Sequence, residues 1–273
     1  MPLWGVTRFY YAAFPFWWDR KGLIAMEESR VLVWFSCGAA SAVAAKLAIE
    51  KYGTRAVIVH CDTLASEHPD NRRFFEDVQR WLKREIITIK SEKYNTVDDV
   101  IEGRSYLAGN AGAPCTVELK KIPRFHFQLP DDVHVFGYTA NEKKRIKDFK
   151  EKNPELLCDW ILRDGGYTKR HCFRVIESAG LKLPEIYALG FKNANCMACN
   201  KASSPHYWRL TRFHFPEAFA RRAEQSRKFG ARLVRINGVR VFLDELPPDD
   251  NGLWATIEEV KEDLSCGPQC ATS

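Results

Sequence analysis

The chain has 273 residues, 45% of them hydrophobic, with 41 Lys and Arg against 35 Asp and Glu. That length suits one α/β domain with a C-terminal elaboration, or two small domains, with a core large enough to need no disulfides. A net charge of +6 fits anionic partners such as nucleotides and is too weak to establish nucleic-acid binding; no apolar run reaches membrane-spanning length, so no membrane partner is expected.

Residues 1–28 read as an aromatic extension. Phe9, Tyr10, Tyr11, Phe14, Phe16, Trp17 and Trp18 crowd together there, without a signal-peptide cleavage pattern. Val31–Phe35 is an apolar run that predicts a buried strand. Ser36, Cys37, Gly38, Ala39, Ala40 and Ser41 follow, all with small side chains, and the Ala-rich stretch after Ser41 favours helix. A strand, a small-residue turn and a helix start can present free N–H groups and the helix dipole to a phosphate; a corner without ligand is the alternative. The loop is neither GxGxxG nor GxxxxGK[ST].

Residues 55–61 predict a second strand, ending in Asp62 and Thr63. Polar groups after a strand sit at the carboxyl edge of a parallel sheet, where α/β folds bind ligands; capping of the next helix is the other use. That helix is expected from Pro69 to about Lys83, with Phe74, Phe75, Val78, Trp81 and Leu82 as core. Glu85–Ile89 is strand three. A glycine-rich loop from Gly109 then enters a short helix with Cys115 at its start and Lys120 and Lys121 at its end. A helix N-terminus lowers a thiol's pKa, so Cys115 reads as a metal ligand or a reactive thiolate, with a buried inert thiol as the alternative. Val133–Phe136 is strand four. Gly137 and Tyr138 end it, and Lys143, Lys144 and Arg145 follow as anion ligands or as a solvated helix face.

Thr168 and Lys169 open a helix to about Ala179. Cys196 and Cys199 form a Cys-x-x-Cys, a bite that suits zinc, an iron–sulfur cluster or a redox dithiol. One long helix is expected over 204–229. Its Arg209, Arg212, Arg221, Arg222, Arg227 and Lys228 read as a polyanion contact or a solvated face. Asn237-Gly238 predicts a hairpin. A short helix over 257–264 precedes Cys266 and Cys270. Nine cysteines, an odd and clustered set, point to metal or redox chemistry in a reducing cytoplasm rather than to disulfides. The expected divisions are 29–185 for the α/β domain and 186–273 for a Cys-containing region.

Together, Ser36-Cys-Gly-Ala-Ala-Ser41, Cys61-Asp62-Thr63 with Glu67-His68-Pro69, Pro114-Cys115-Thr116-x-x-Leu119-Lys120, Gly137-Tyr-Thr-Ala-x-Glu142-x-x-Arg145 and Cys196-x-x-Cys199 before Tyr207-Trp208 form an ordered set. It resembles the phosphoadenosine phosphosulfate (PAPS) reductase family of the PP-loop adenine nucleotide α-hydrolase superfamily, in particular its phage-type branch. The resemblance implies an α/β fold with a mostly parallel five-stranded sheet between helices. It implies ATP or PAPS, with magnesium, bound by residues 36–41, Asp62, Thr63, Gly137 and Tyr138. Lys120 and Arg145 match basic positions around the anion. Ala40 stands where the superfamily's usual loop has an acid.

The resemblance implies sulfur metabolism by one of two routes. In one, an adenylate activates a substrate for sulfur transfer, as in nucleic-acid thiolation or phosphorothioation, with a sulfur or electron donor protein as partner. Cys115, Cys196 and Cys199 would then hold a four-iron cluster with Cys266 or Cys270. In the other, Cys266 attacks the sulfate sulfur of PAPS and sulfite is released. A third reading is a zinc-containing binder of nucleotide or nucleic acid, with Cys196, Cys199, Cys266 and Cys270 as ligands. A homodimer is compatible with each.

Overall fold

Five parallel strands organise the protein. A computed structural model describes residues 29–109 and 112–248; the aromatic extension, the expected helix over 257–264, Cys266 and Cys270 lie outside the described residues. β1 (Val31–Phe35) is fully buried, as expected of a central strand covered by helices on both faces. α1 (Ala39–Tyr52) follows, and its Ala39, Ala42, Ala44, Ala45 and Ala48 are buried. These small side chains let the helix lie close to the sheet. β2 (Ala56–Cys61), α2 (Asp70–Leu82) and β3 (Ile86–Ile89) complete one half. α3 (Val97–Arg104) begins at a Thr96–Asp99 capping box.

The chain then enters α4 (Pro114–Thr116), a π-helical turn (Val117–Lys121) and α5 (Ile122–Phe127). The helical path therefore runs on past the two lysines instead of ending there. β4 (Val133–Phe136), α6 (Lys143–Lys152), β5 (Leu157–Asp159), α7 (Ile161–Asp164), α8 (Lys169–Ser178) and α9 (Glu185–Ala188) follow. The strand order is β3-β2-β1-β4-β5, and every pairing is parallel. The sheet is thus an all-parallel five-stranded one, consistent with a PP-loop type of α/β fold. Strands are added on one side of β1 and then on the other. A crevice is expected where that direction reverses, outside the carboxyl ends of β1 and β4.

The expected long helix is two: α10 (Pro205–His214) and α11 (Pro216–Lys228). Phe215 between them has φ −134° and ψ 61°. Proline has no N–H and forces its predecessor out of helical geometry, so the apolar spacing continues while the backbone turns. β6 (Val234–Ile236) and β7 (Val239–Val241) form the hairpin about Asn237-Gly238.

Two main cores result. The first joins β1, β2, α1, α2 and α8, and includes Tyr187. The second holds Trp208, Phe219, Leu233, Val234 and Leu243 together with Tyr94, Val97, Val100, Ile101, Leu107 and Leu119. The C-terminal elaboration thus shares its interior with the segment between β3 and α5. No helix among the described residues is long and apolar enough to cross a membrane.

Candidate functional site at the carboxyl edge of the sheet

The loop after β1 is tied to itself. The Ser41 hydroxyl donates to the Gly38 carbonyl at 2.9 Å and accepts from the Ser36 N–H at 3.1 Å, with the Ser36 hydroxyl 3.3 Å away. Cys37 is buried in the left-handed region at φ 52°, and burial pushes its thiol pKa upward. Gly38 is extended, and α1 starts at Ala39 and Ala40. The Ala39 N–H donates to the buried Tyr187 hydroxyl at 3.3 Å, and burial raises that phenol to about 12. A Cβ on Gly38 would stand 3.3 Å from the same hydroxyl. The small side chains therefore make room for Tyr187 as well as for a ligand, and one N–H at the helix start already has a partner.

Tyr187 is placed by α2. Arg73 of that helix donates to the carbonyls of Lys182 and Leu183 at 3.1 Å each, and Asp70 accepts from the Glu185 N–H at 2.8 Å. These bonds hold the entry to α9 against α2.

The end of β2 forms the next wall. Asp62 caps the short turn after it by accepting from the Leu64 N–H at 3.3 Å. Buried Glu67 accepts from the Thr63 hydroxyl at 2.7 Å and from Asn71 at 2.8 Å. Thr63 and Asp62 thus also serve local structure. His60, 1% exposed, donates from Nδ1 to the Phe35 carbonyl at 3.0 Å. Burial lowers its pKa, against the pull of that carbonyl, so the ring is neutral. Its Nε2 is buried with no hydrogen-bond partner among the described residues.

Glu67 also pairs with Cys196 in an antiparallel bridge, and the Met197 N–H donates to the Ser66 carbonyl at 2.9 Å. This brings the Cys-x-x-Cys loop to the sheet edge. Tyr207 organises that loop: its hydroxyl accepts from the Cys199 N–H at 2.7 Å and donates to the Cys196 carbonyl at 3.1 Å. Ala198 is left-handed at φ 51°, and its carbonyl accepts from buried Arg222 at 3.1 Å. Cys115 joins from the other end of the fold, its thiol 3.4 Å from the Asn200 side-chain oxygen. The thiols of Cys115, Cys196 and Cys199 act electrostatically on one another. Lys120, exposed at the crevice, acts on Cys37, Cys61, Cys115, Cys196 and His60.

Burial raises Cys196 to about 12 and Cys61 to about 11, outweighing the pull of Lys120. Cys115 is likewise raised, chiefly by burial. The lowering expected from a helix N-terminus does not prevail against that burial. Among the described residues, no group of three or more His, Cys, Asp or Glu side chains is arranged to hold a metal ion. Cys115, Cys196 and Cys199 lie within electrostatic reach of one another, Cys266 and Cys270 lie outside the described residues, and no step is assigned to a metal.

The third wall is β4 and α8. Gly137 lies against the backbone of Ala40 and Ser41. Tyr138 packs on Phe149 and Trp160 at 5.7 and 5.6 Å. Arg145 stacks over Tyr138 at 4.7 Å and pairs with Glu142 at 2.6 Å, its side chain 65% exposed. Lys169 sits 5.1 Å above the Tyr187 ring and donates to Asn193 at 3.0 Å. Burial pushes Lys169 down to about 8, Glu142 and Cys172 opposing the drop while Lys192 and Arg145 add to it. An anion bound beside Tyr187 meets a charged Lys169 below that pH and a neutral one above it. Affinity for ATP, measured calorimetrically, should hold from neutral pH and fall by up to about tenfold per unit above pH 8. Lys169→Gln should flatten that profile; an unchanged profile would separate Lys169 from the anion.

Sequence reading thus reaches the three strand-end loops and the cysteine pair. It misses Lys169, Tyr187, His60 and Glu67 as site residues. Of these, Glu67 alone stands in a motif singled out from the sequence, Glu67-His68-Pro69, five residues after Asp62. Fold and site define an α/β protein whose strand-end loops meet thiols and lysines at the carboxyl edge of a parallel sheet. No protein-family model and no curated protein matches the chain.

Proposed function

We propose that the protein is a PAPS reductase-like enzyme of sulfur metabolism that binds an adenine nucleotide in this crevice. It cleaves at the α-phosphate to activate a nucleic-acid acceptor for sulfur transfer. The observation that carries the reading is the convergence, around the carboxyl ends of β1 and β2, of the Ser36–Ser41 loop, Lys120, Lys169 and the Cys196–Cys199 loop. An acceptor oxygen attacks the α-phosphorus of ATP, and pyrophosphate leaves. The lysine ammonium groups offset the charge that develops on the phosphate oxygens. Sulfur from a donor protein then displaces AMP. The cysteines among the described residues are free thiols, which suits a reducing cytoplasm.

The test is pyrophosphate release from ATP in the presence of DNA or RNA and a sulfur donor, with the protein purified anaerobically and its iron, sulfide and zinc measured. Release that depends on Lys120 supports the reading. Sulfite formation from PAPS that Cys266→Ala abolishes would replace it with a sulfonucleotide reductase. Stoichiometric zinc with neither turnover would leave a binding protein.

A further inference from the structure

We propose that the solvent face of α6, with Arg163 of α7, is the docking surface for the phosphodiester backbone of a nucleic acid. The proposal deepens the reading above and rests on it for the direction in which the bound strand leads.

α6 carries six basic side chains against Asp148 and Glu151. Lys143, Lys147 and Lys150 are four and three residues apart, hence on one face over about 10 Å of helix. With Arg163, Glu151 and Ile146 they line an open basin of about 420 Å³, four cations to one carboxylate. The apolar side of α6 is spent inward. Ile146 is buried, and Phe149 packs on Phe136, Tyr138 and Trp160 at 4.8, 5.7 and 5.8 Å. No apolar side chain of the helix is left to enter a bilayer, which disfavours a lipid surface as the occupant.

The contrast with the other basic helix decides the argument. On α11, Arg221 and Arg222 pair with Asp98, Arg227 with Asp244 and Glu245, and Lys228 with Glu102. On α10, Arg212 donates to the carbonyls of Leu246 and Pro247. These cations have partners within the second core and its hairpin, although Arg221, Arg227 and Lys228 stay about half exposed on a solvated face. The α6 charges are little committed. Lys147 reaches Glu151 only at 3.9 Å and is 78% exposed, and Arg163 shares Asp164. Lys143, Lys144 and Lys150 form no ion pair among the described residues. Closely spaced cations on one face, Lys143 and Lys150 without an ion pair and Lys147 with only a distant one, match a polymer of evenly spaced phosphates. α6 also starts directly after the β4 end, so a strand along it leads to the crevice.

The test uses the full chain and three fluorescent probes of one sequence: single-stranded DNA, duplex DNA and RNA. Anisotropy is followed between about 50 and about 200 mM salt, and four phosphate contacts predict a log–log slope of about −3 to −4. The Lys147→Gln, Lys150→Gln double variant should bind at least about tenfold more weakly at the lowest salt, with the slope reduced by about 1.5 to 2. Arg227→Gln with Lys228→Gln should leave the slope unchanged. The probe bound most tightly identifies the type of nucleic acid. An unchanged slope in the α6 variant overturns the proposal, as does absence of binding to all three probes. Binding to anionic phosphatidylserine vesicles in place of nucleic acid also overturns it. ATP binding is measured in the same preparations. Nucleic acid bound through α6 by a protein that binds no ATP would sink the crevice reading and leave this surface standing.

Discussion

Trp208→Ala should lower stability by about 3–5 kcal/mol, the cost of deleting the largest fully buried side chain in the described residues. Trp208 lies in the second core between Tyr207 at 5.2 Å and Phe219 at 6.4 Å. Its indole N–H donates to the Ala202 carbonyl at 2.9 Å, so truncation also leaves a carbonyl without its donor. Tyr207 and the chain up to Ala202 hold the Cys196–Cys199 loop, and loosening them should speed reaction of both thiols with an alkylating reagent. Urea unfolding and thiol labelling check this together. Val239→Ala, at a side chain 64% exposed, is the control and should change stability by no more than about 0.5 kcal/mol. Equal unfolding midpoints for the two variants would mean that Trp208 does not anchor this core.

Gly137→Ala should cost about 3 kcal/mol and weaken nucleotide binding at least tenfold. A Cβ there would stand 2.8 Å from the Ser41 nitrogen, 2.9 Å from its Cα and 3.1 Å from the Ala40 carbonyl carbon. These are backbone atoms of the α1 start. They cannot rotate aside, so either β4 or the loop after β1 must move. Gly53→Ala separates this clash from ordinary glycine effects. Gly53 has φ 58° and ψ −123° with open space around its Cβ position, so backbone strain of about 1–3 kcal/mol is expected without a clash and without loss of nucleotide binding. Unfolding midpoints and ATP titration of both variants are the measurement. A Gly137→Ala protein with native affinity and midpoint would show that β4 does not brace the loop.

Much of the sheet is legible because a strand buried on both faces writes itself as a continuous apolar run. Val31–Phe35 and Val133–Phe136 are observed with those bounds, and the second and third strands begin one residue later than expected. β5 is not legible: three residues, Leu157–Asp159, at a sheet edge leave no pattern. α3 carries its signal in Thr96 and Asp99, a capping box in a sequence without strong periodicity. The break between α10 and α11 is written in Pro216, although the aromatic spacing of Phe213, Phe215 and Phe219 runs through it. At the site, the strand-end loops are legible because a parallel sheet must put them on one edge. The partners that fill or charge that edge are not, since they arrive from helices far along the chain.

By itself the sequence determines the class of fold, the position of the loop after β1 and the two-thiol bite at Cys196 and Cys199. These follow from local spacing, from backbone sterics and from the need to bury each apolar run. The tertiary structure alone decides that Cys115 meets Asn200 across 85 residues and that Tyr187 takes the Ala39 N–H across 148. It alone decides that the cations of α11 have carboxylate partners while Lys143 and Lys150 of α6 have none among the described residues. Each of these depends on which surfaces two cores bury against each other. Residue type and spacing are the same in a cation that holds a hairpin and in one that waits for a phosphate; only packing supplies or withholds the carboxylate beside it.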